Sequence, residues 1–315
     1  MTKKIIAVVG STGAQGGGLA RAILADKSGE FAVRAITRKP DSDPARALKS
    51  AGAEVVAADL DDTDSLRHAF EGAYGAYCVT NYWEHFSGEK ELIHAGNMAR
   101  AAKQSGLKHV IWSTLEDVRK FVPLSDTRMP HLENKYKVPH FDAKGEGDEE
   151  FRKAGVPTTF LLASWYYENL IYFGAGPKPG PDGTLLLTYP MGDAKMDGIA
   201  TEDIGRCAYG IFKRGASMIG QHIGVSGDKL TLAGYAAALS KALGRKVVYN
   251  KVTADAYRGF GFPGAVELGN MFQFYEEFEK EVGGMRDVER SRSLNPQLQS
   301  FEQWLTVNAK RIPLE

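Results

Sequence analysis

A doubly wound α/β fold built on a parallel sheet is what this 315-residue sequence predicts. Three observations carry the prediction. Short apolar runs alternate with helical stretches through the first half of the chain. The first run, Ile5-Ile6-Ala7-Val8-Val9, leads straight into Gly10-Ser11-Thr12-Gly13-Ala14-Gln15-Gly16. The second, Phe31 to Thr37, closes on the basic pair Arg38-Lys39. Buried parallel strands read as continuous apolar runs, and strands that alternate with helices return to one sheet through right-handed crossovers.

The first run is strand one, the glycine cluster a turn, and Leu19 to Ala25 a helix. Glycines that link a strand to a helix make a ready pyrophosphate site. Gly10 allows the tight turn, Gly13 lets backbone approach the phosphates, and Gly16 lets helix lie close to sheet. The helix N-terminus adds unpaired N–H groups and a partial positive charge. The spacing is G-x-x-G-x-x-G, and such a cluster on its own is also compatible with a plain turn; its place after the first strand favours a nucleotide site. At the end of strand two an acidic residue would bind both ribose hydroxyls and select NAD, whereas a cation accommodates a 2′-phosphate and selects NADP. Arg38 falls 22 residues after Gly16, close to the separation this unit requires. Its planar fork suits a phosphate, and Lys39 adds a second charge. The plain alternative for both is a solvated surface pair; the spacing favours NADP(H).

The rhythm continues with a helix over Asp43 to Ala51, strand three over Glu54 to Ala57, and a helix over Asp62 to Glu71 with Asp62 or Thr63 near its cap. Strand four spans Gly75 to Thr80, a long helix Gly88 to Ser105, strand five His109 to Ser113, a helix Lys144 to Lys153, and strand six Thr158 to Ala163. Residues 114–139, charged and containing proline, interrupt the pattern; loops of that length are lids, binding loops or disordered segments. Beyond 164 the alternation weakens. Ala175 to Gly183 is rich in turns, and Thr201 to Phe212, Leu232 to Leu243 and Phe301 to Val307 read as helices. The expected organisation is a Rossmann dinucleotide domain over 1–163 and a smaller C-terminal α+β subdomain over 164–315, forming a cleft, with elements returning to the sheet.

Composition is that of a globular chain: 43% hydrophobic, 25% charged, with 39 basic and 39 acidic residues in balance. That balance leaves no electrostatic footprint for nucleic acid or an anionic membrane. Cys78 and Cys207 each stand alone in apolar surroundings, as buried thiols do, and support neither a disulfide nor a metal site. Met1-Thr2-Lys3-Lys4 before an apolar run is too short to be a signal peptide, no segment has the length of a membrane span, and a cytoplasmic protein is expected.

Taken together, GSTGAQGGG (10–18), TRKP (37–40), VTNYWE (79–84), HFDAKGE (140–146), YYENL (166–170), MDGIATEDIG (196–205), GFPGA (261–265) and FEQWL (301–305) span nearly the whole chain. With them the sequence resembles the NmrA-like family, an atypical branch of the short-chain dehydrogenase/reductase superfamily that includes an NADP(H)-responsive redox sensor. The resemblance implies that Gly10, Ser11, Thr12, Gly13, Ala14 and Gln15 hold the pyrophosphate and Arg38 the 2′-phosphate. It implies that Asp59 and Leu60 flank adenine, and that Thr80, Asn81 and Tyr82 lie along the ribose and nicotinamide. Lys144 would reach the nicotinamide ribose, with Tyr166, Tyr167, Glu168 and Asn169 closing over that end.

One departure bears on catalysis. Typical members of the superfamily carry Tyr-x-x-x-Lys, whereas this chain reads His140-Phe141-Asp142-Ala143-Lys144. Tyr136 is eight residues from Lys144, the wrong spacing on a helix. Ser113, at the end of strand five, stands where a carbonyl-polarising serine would be, and a hydroxyl at a strand end is equally a plain hydrogen-bonder. His140 reads two ways: as a proton donor titrating near neutrality, or as a ring that only packs. His140 and Lys144 are therefore the catalytic candidates, and no metal ligand set accompanies them. Two function classes follow. One is an NADP(H)-binding redox regulator with weak or no dehydrogenase activity and a protein partner. The other is an NADPH-dependent reductase of a quinone, enone or phenylpropanoid-like substrate.

Overall fold

In the computed structural model, which describes residues 2–314, the chain opens as β1 (Lys4–Val8), α1 (Ala14–Ala25), β2 (Phe31–Thr37), α2 (Asp43–Ser50), β3 (Glu54–Ala57), α3 (Thr63–Phe70) and β4 (Gly75–Cys78). A 3₁₀ turn (Tyr82–Glu84), α4 (Gly88–Gln104), β5 (His109–Thr114), a second 3₁₀ turn (Val118–Lys120), α5 (Pro139–Ala154) and β6 (Thr158–Leu162) follow. After these come β7 (Trp165–Tyr166), α6 (Asn169–Tyr172), β8 (Lys178–Pro179), β9 (Leu185–Tyr189), β10 (Lys195–Ile199), α7 (Thr201–Arg214), β11 (His222–Gly224) and β12 (Asp228–Thr231). The chain finishes with α8 (Leu232–Leu243), β13 (Val247–Lys251), α9 (Ala254–Arg258), α10 (Ala265–Glu277), α11 (Glu279–Met285), α12 (Val288–Leu294) and α13 (Phe301–Asn308).

A seven-stranded sheet has the order β11-β6-β5-β4-β1-β2-β3, and each pairing from β6 through β3 is parallel. The order reverses between β1 and β4. That reversal opens a crevice at the carboxyl ends of the strands, where ligands of open α/β sheets sit. Apolar residues of β1, β4 and β5 bury against α3, α4 and α5, with Phe70, Met98, Trp112 and Phe151 among the largest side chains of that core. Helix starts follow local chemistry: the Asp62 carboxylate accepts from the backbone N–H groups of Asp64 and Ser65 at α3, and Ser87 accepts from Lys90 at α4.

The chain forms two compact units: Met1–Asp117 with Pro139–Leu162 and Ile204–Ile223, and Val118–Val138 with Ala163–Asp203 and Gly224–Glu315. The division crosses the chain several times; the expectation from the sequence was a boundary after residue 163 with later elements returning to the sheet. The Ile204–Ile223 stretch returns to the first unit: on α7, Phe212 lies against Phe31 and His109, and the Tyr209 hydroxyl donates to Asp26 at 2.8 Å. Two small sheets, β12-β10-β7 and β13-β9-β8, belong to the second unit. Its core gathers Tyr167, Tyr235, Phe301 and Trp304.

Two helices start earlier than expected. α1 begins at Ala14 rather than Leu19, because the helix absorbs Gly16, Gly17 and Gly18. α5 begins at Pro139 rather than Lys144: a proline lacks the N–H that a first helical turn leaves unbonded, so it starts a helix readily. The helices between Ala254 and Leu294 were not foreseen. α10 buries Ala265, Glu267, Gly269, Asn270, Met271, Phe272, Phe274 and Tyr275, a set too broad and too polar to read as one apolar stripe. No helix among the described residues is long and apolar enough to cross a membrane.

Candidate functional site

The glycine loop leaves β1 at the crevice. Gly10 takes φ +64°, a left-handed conformation open to glycine, and the Gly13 N–H closes the turn on the Gly10 carbonyl at 2.8 Å. A Cβ at Gly16 would stand 2.5 Å from that carbonyl oxygen and 2.6 Å from that of Val9, so only glycine lets α1 come this close to β1. α1 then starts at Ala14 with no side-chain cap and no acid in its first turn. Its first N–H groups, which no intrahelical carbonyl can satisfy, are left for an anion. Thr12 and Ala14 are exposed, and the Ser11 and Gln15 side chains are buried. The Ser11 hydroxyl donates to the Ile36 carbonyl of β2 at 2.9 Å. The buried Gln15 side chain accepts from the hydroxyls of Tyr77 and, at 2.8 Å, Ser113. Both side chains brace the loop, leaving its exposed surface to backbone and to Thr12. Ser113 gives its proton to Gln15, the plain hydrogen-bonding arrangement of the two readings.

At the end of β2, Arg38 is exposed and bound by a side chain of the same unit. Its Nη1 donates to Glu84 Oε1 at 2.5 Å and Nη2 to Oε2 at 2.9 Å. Hydrogen bonding to Arg38 holds the Glu84 carboxyl below the usual range. Lys39 beside it is exposed. Past β3, Asp59 is exposed and receives the Asp61 N–H, while half-buried Leu60 accepts from Asn97 through its carbonyl at 2.6 Å.

Past β4 the sequence Thr80-Asn81-Tyr82 enters the 3₁₀ turn. Thr80 is buried and belongs to a closed polar triangle. The Lys144 ammonium donates to Thr80 Oγ1 at 2.5 Å and lies 3.1 Å from Glu91 Oε2, and Thr80 Oγ1 donates to the same carboxylate oxygen at 2.5 Å. Burial of Glu91 opposes its charge. The Lys144 cation, the nearby His85 ring and the hydrogen bonds from Thr80 and Lys144 outweigh it, lowering its pKa to about 2. His85 Nε2 faces the other carboxylate oxygen at 3.5 Å. Asn81 is exposed, and Tyr82 turns its ring inward. One turn before Lys144 on α5, His140 is buried with its ring 4.8 Å from Trp83 and 5.9 Å from Tyr82. α5 carries no tyrosine.

Tyr166, Tyr167, Glu168 and Asn169 lie in the second unit. Tyr167 is fully buried against Phe301 and Trp304, and Glu168 accepts from the Thr201 N–H at 3.0 Å and the Trp304 indole at 3.1 Å. These two residues are held in the second unit's core; Tyr166 and Asn169 are half-buried.

The model of the NmrA-like family matches residues 2–307. The chain belongs to the NmrA-like family. This NmrA-like protein is 32% identical over 295 residues to the NmrA-like family domain-containing oxidoreductase FrzB of Cladobotryum sp., covering 86% of this chain and 83% of the relative. Its fold matches crystal structures of NmrA, a negative transcriptional regulator, in complex with NAD and in complex with NADP. Each is 25% identical with a TM-score of 0.78, covering 98% of this chain and 95% of the other.

Sequence reasoning missed Glu91, His85 and the Gln15–Tyr77–Ser113 brace. A glutamate in the first turn of an amphipathic helix reads as a solvated charge favoured by the helix dipole; only the fold reveals that it faces Lys144. Glu84 lay within VTNYWE, and nothing in its spacing tied it to Arg38.

Proposed function

We propose that this NmrA-like protein binds NADP(H) along the strand ends of its first unit and acts as a redox-responsive regulator with weak or no dehydrogenase activity. The features that support a dinucleotide there are the Gly10 turn at φ +64°, Gly16, which lets α1 lie close against β1, and the uncapped N–H groups at the start of that helix. Backbone N–H groups at Ala14, Gln15 and Gly16 would hold the pyrophosphate, with Gly13 leaving the backbone open to it and the Ser11 and Gln15 side chains bracing the loop. Arg38, with Lys39, would take the 2′-phosphate, and Asp59 and Leu60 would flank adenine. Thr80, Asn81 and Tyr82 would lie along the ribose and nicotinamide, and Lys144 would reach the nicotinamide ribose. Bound, the cofactor would supply a hydride donor or acceptor.

The observation that carries the regulator reading is the state of the proton-bearing groups. Ser113 donates to Gln15, Lys144 is closed on Glu91 and Thr80, and His140 lies within an aromatic cluster where the superfamily carries tyrosine. Reduction of an ordinary ketone needs a proton at the carbonyl oxygen, and general acid assistance is worth about a hundredfold to ten-thousandfold. The second reading, an NADPH-dependent reductase of a quinone or enone, is favoured by the oxidoreductase name of the relative from Cladobotryum and by the rings of Tyr82, Trp83 and Phe86 beside His140. Calorimetric titration with NADPH and NADH, then NADPH oxidation against simple ketones and a quinone panel, tests both. NADPH should bind at least about tenfold tighter than NADH, the contribution of a charge-assisted contact to phosphate, and simple ketones should not be reduced. Equal affinities would remove the NADP(H) assignment, and robust ketone reduction would remove the regulator reading.

A further inference from the structure

We propose that Glu84 is an internal competitor for the 2′-phosphate of NADP(H), and that a cofactor bearing that phosphate, unlike NAD(H), displaces the turn that carries Tyr82 and Trp83. This rests on the cofactor reading above and adds to it a specificity residue and a link between the two ends of the site.

The Glu84 carboxylate meets Arg38 through two hydrogen bonds, 2.5 and 2.9 Å long, one to each terminal guanidinium nitrogen. Two oxygens on a guanidinium fork are also what a phosphate monoester presents, so the carboxylate and the phosphate claim the same donors. The pair is half exposed on both sides. Exposed ion pairs are weak, so a doubly charged phosphate can replace the carboxylate, at a penalty in affinity. NAD(H) has ribose hydroxyls in that place and no group to compete with Glu84.

Glu84 is tied to more than Arg38. It ends the 3₁₀ turn Tyr82–Glu84, whose Tyr82 and Trp83 rings lie against His140. The turn is closed by the N–H groups of His85 and Phe86 on the Tyr82 carbonyl, at 3.1 and 2.7 Å. Phe86 stands at φ +52°, a left-handed conformation that is strained for an aromatic side chain. The next residue, His85, faces Glu91, the carboxylate that holds Lys144. One short turn thus carries the partner of Arg38, the ring neighbours of His140 and a neighbour of Glu91. Loss of the Arg38 contact removes the tether that fixes the turn at its exposed end.

The test measures NADP⁺ and NAD⁺ affinities of wild type, Glu84→Gln, Arg38→Ala and the double variant, with thermal unfolding to confirm folding. Trp83 emission is isolated by subtracting Trp83→Phe. Glu84→Gln should raise the ratio of NADP⁺ to NAD⁺ affinity by about two- to fivefold, the range of an exposed ion pair. In the Arg38→Ala background the same change should leave the ratio where it was. NADP⁺ should shift Trp83 emission, and NAD⁺ should shift it far less. If wild type prefers NADP⁺ through Arg38 but Glu84→Gln leaves the ratio unchanged or lowers it, the competitor is overturned and the cofactor reading stands. If wild type shows no Arg38-dependent preference for NADP⁺, both fall together.

Discussion

At Lys144 one ammonium answers to a carboxylate, a hydroxyl and, at 3.3 Å, the Thr80 carbonyl, with the Trp112 ring 5.3 Å away. The motif around this lysine was visible in the sequence; its partner was not. A change at Lys144 is consequently not a clean probe of cofactor binding. Lys144→Met leaves Glu91 buried beside an apolar side chain, and breaking a buried pair from one side costs about 3–5 kcal/mol. Glu91→Leu combined with Lys144→Met removes both charges and should recover most of that loss, because a hydrophobic replacement of a buried pair is often close to neutral. Urea unfolding of the two variants checks this. A double variant as unstable as the single one would show that Thr80 and His85, rather than the charge pair, hold the site together. Ser113 teaches the same lesson: its position at a strand end was legible, but whether its proton went to a substrate or to Gln15 depended on a contact across 98 residues.

Elements with one apolar face and a recognisable cap were legible, and α8 runs from Leu232 to Leu243 as expected, between Thr231 and a left-handed Gly244. Where burial surrounds an element, or polar side chains do the fastening, the pattern goes silent. The segment 118–138 is the clearest case. It holds little regular structure, yet Val118, Val122, Met129, Tyr136 and Val138 are buried. Lys137 is fully buried and its ammonium donates to the carbonyls of Asp126 and Met129, both at 2.6 Å. From α10, the Asn270 amide donates to the carbonyls of Pro130 and Lys137, at 2.8 and 2.6 Å. The stretch is a fastened loop, and Asn270 is its rivet. Asn270→Ala leaves those two carbonyls short of donors, at a cost of about 1–3 kcal/mol for each left unsatisfied. Hydrogen exchange should accelerate across residues 130–138 and stay unchanged in β1, β4 and β5. Uniform acceleration over the whole chain would instead make Asn270 a general support of the fold.

For the whole molecule, the parallel sheet was legible because its strands are short, apolar and punctuated by helices, while which later segments return to the first unit was not, because chain order alone does not say which unit a segment joins. The same sheet carries a group that titrates differently in the folded and unfolded chains. His109 opens β5 fully buried, beside the Phe212 ring. The Thr159 hydroxyl gives its proton to the Met218 carbonyl at 2.8 Å, so it accepts from His109 Nε2, 2.9 Å away; this leaves Nδ1 unprotonated and without a hydrogen-bond partner. Burial lowers the His109 pKa to about 4. The unfolded chain takes up this proton near pH 6.5 and the folded chain does not, so the neutral ring's full stability is present above about pH 6.5 and is lost progressively as pH falls toward 4. Glu91 acts in the next window. Its depressed pKa contributes stability that is complete above about pH 4.5 and disappears as pH falls toward 2. Urea unfolding followed by circular dichroism should show wild type weakening by a few kcal/mol, on the order of 3, between about pH 7 and pH 4. His109→Gln keeps a donor for Thr159 and cannot titrate, so it should flatten that slope above about pH 4.5 while leaving the loss below it. Parallel slopes for wild type and variant across the upper window would show that the acid response arises elsewhere in the chain.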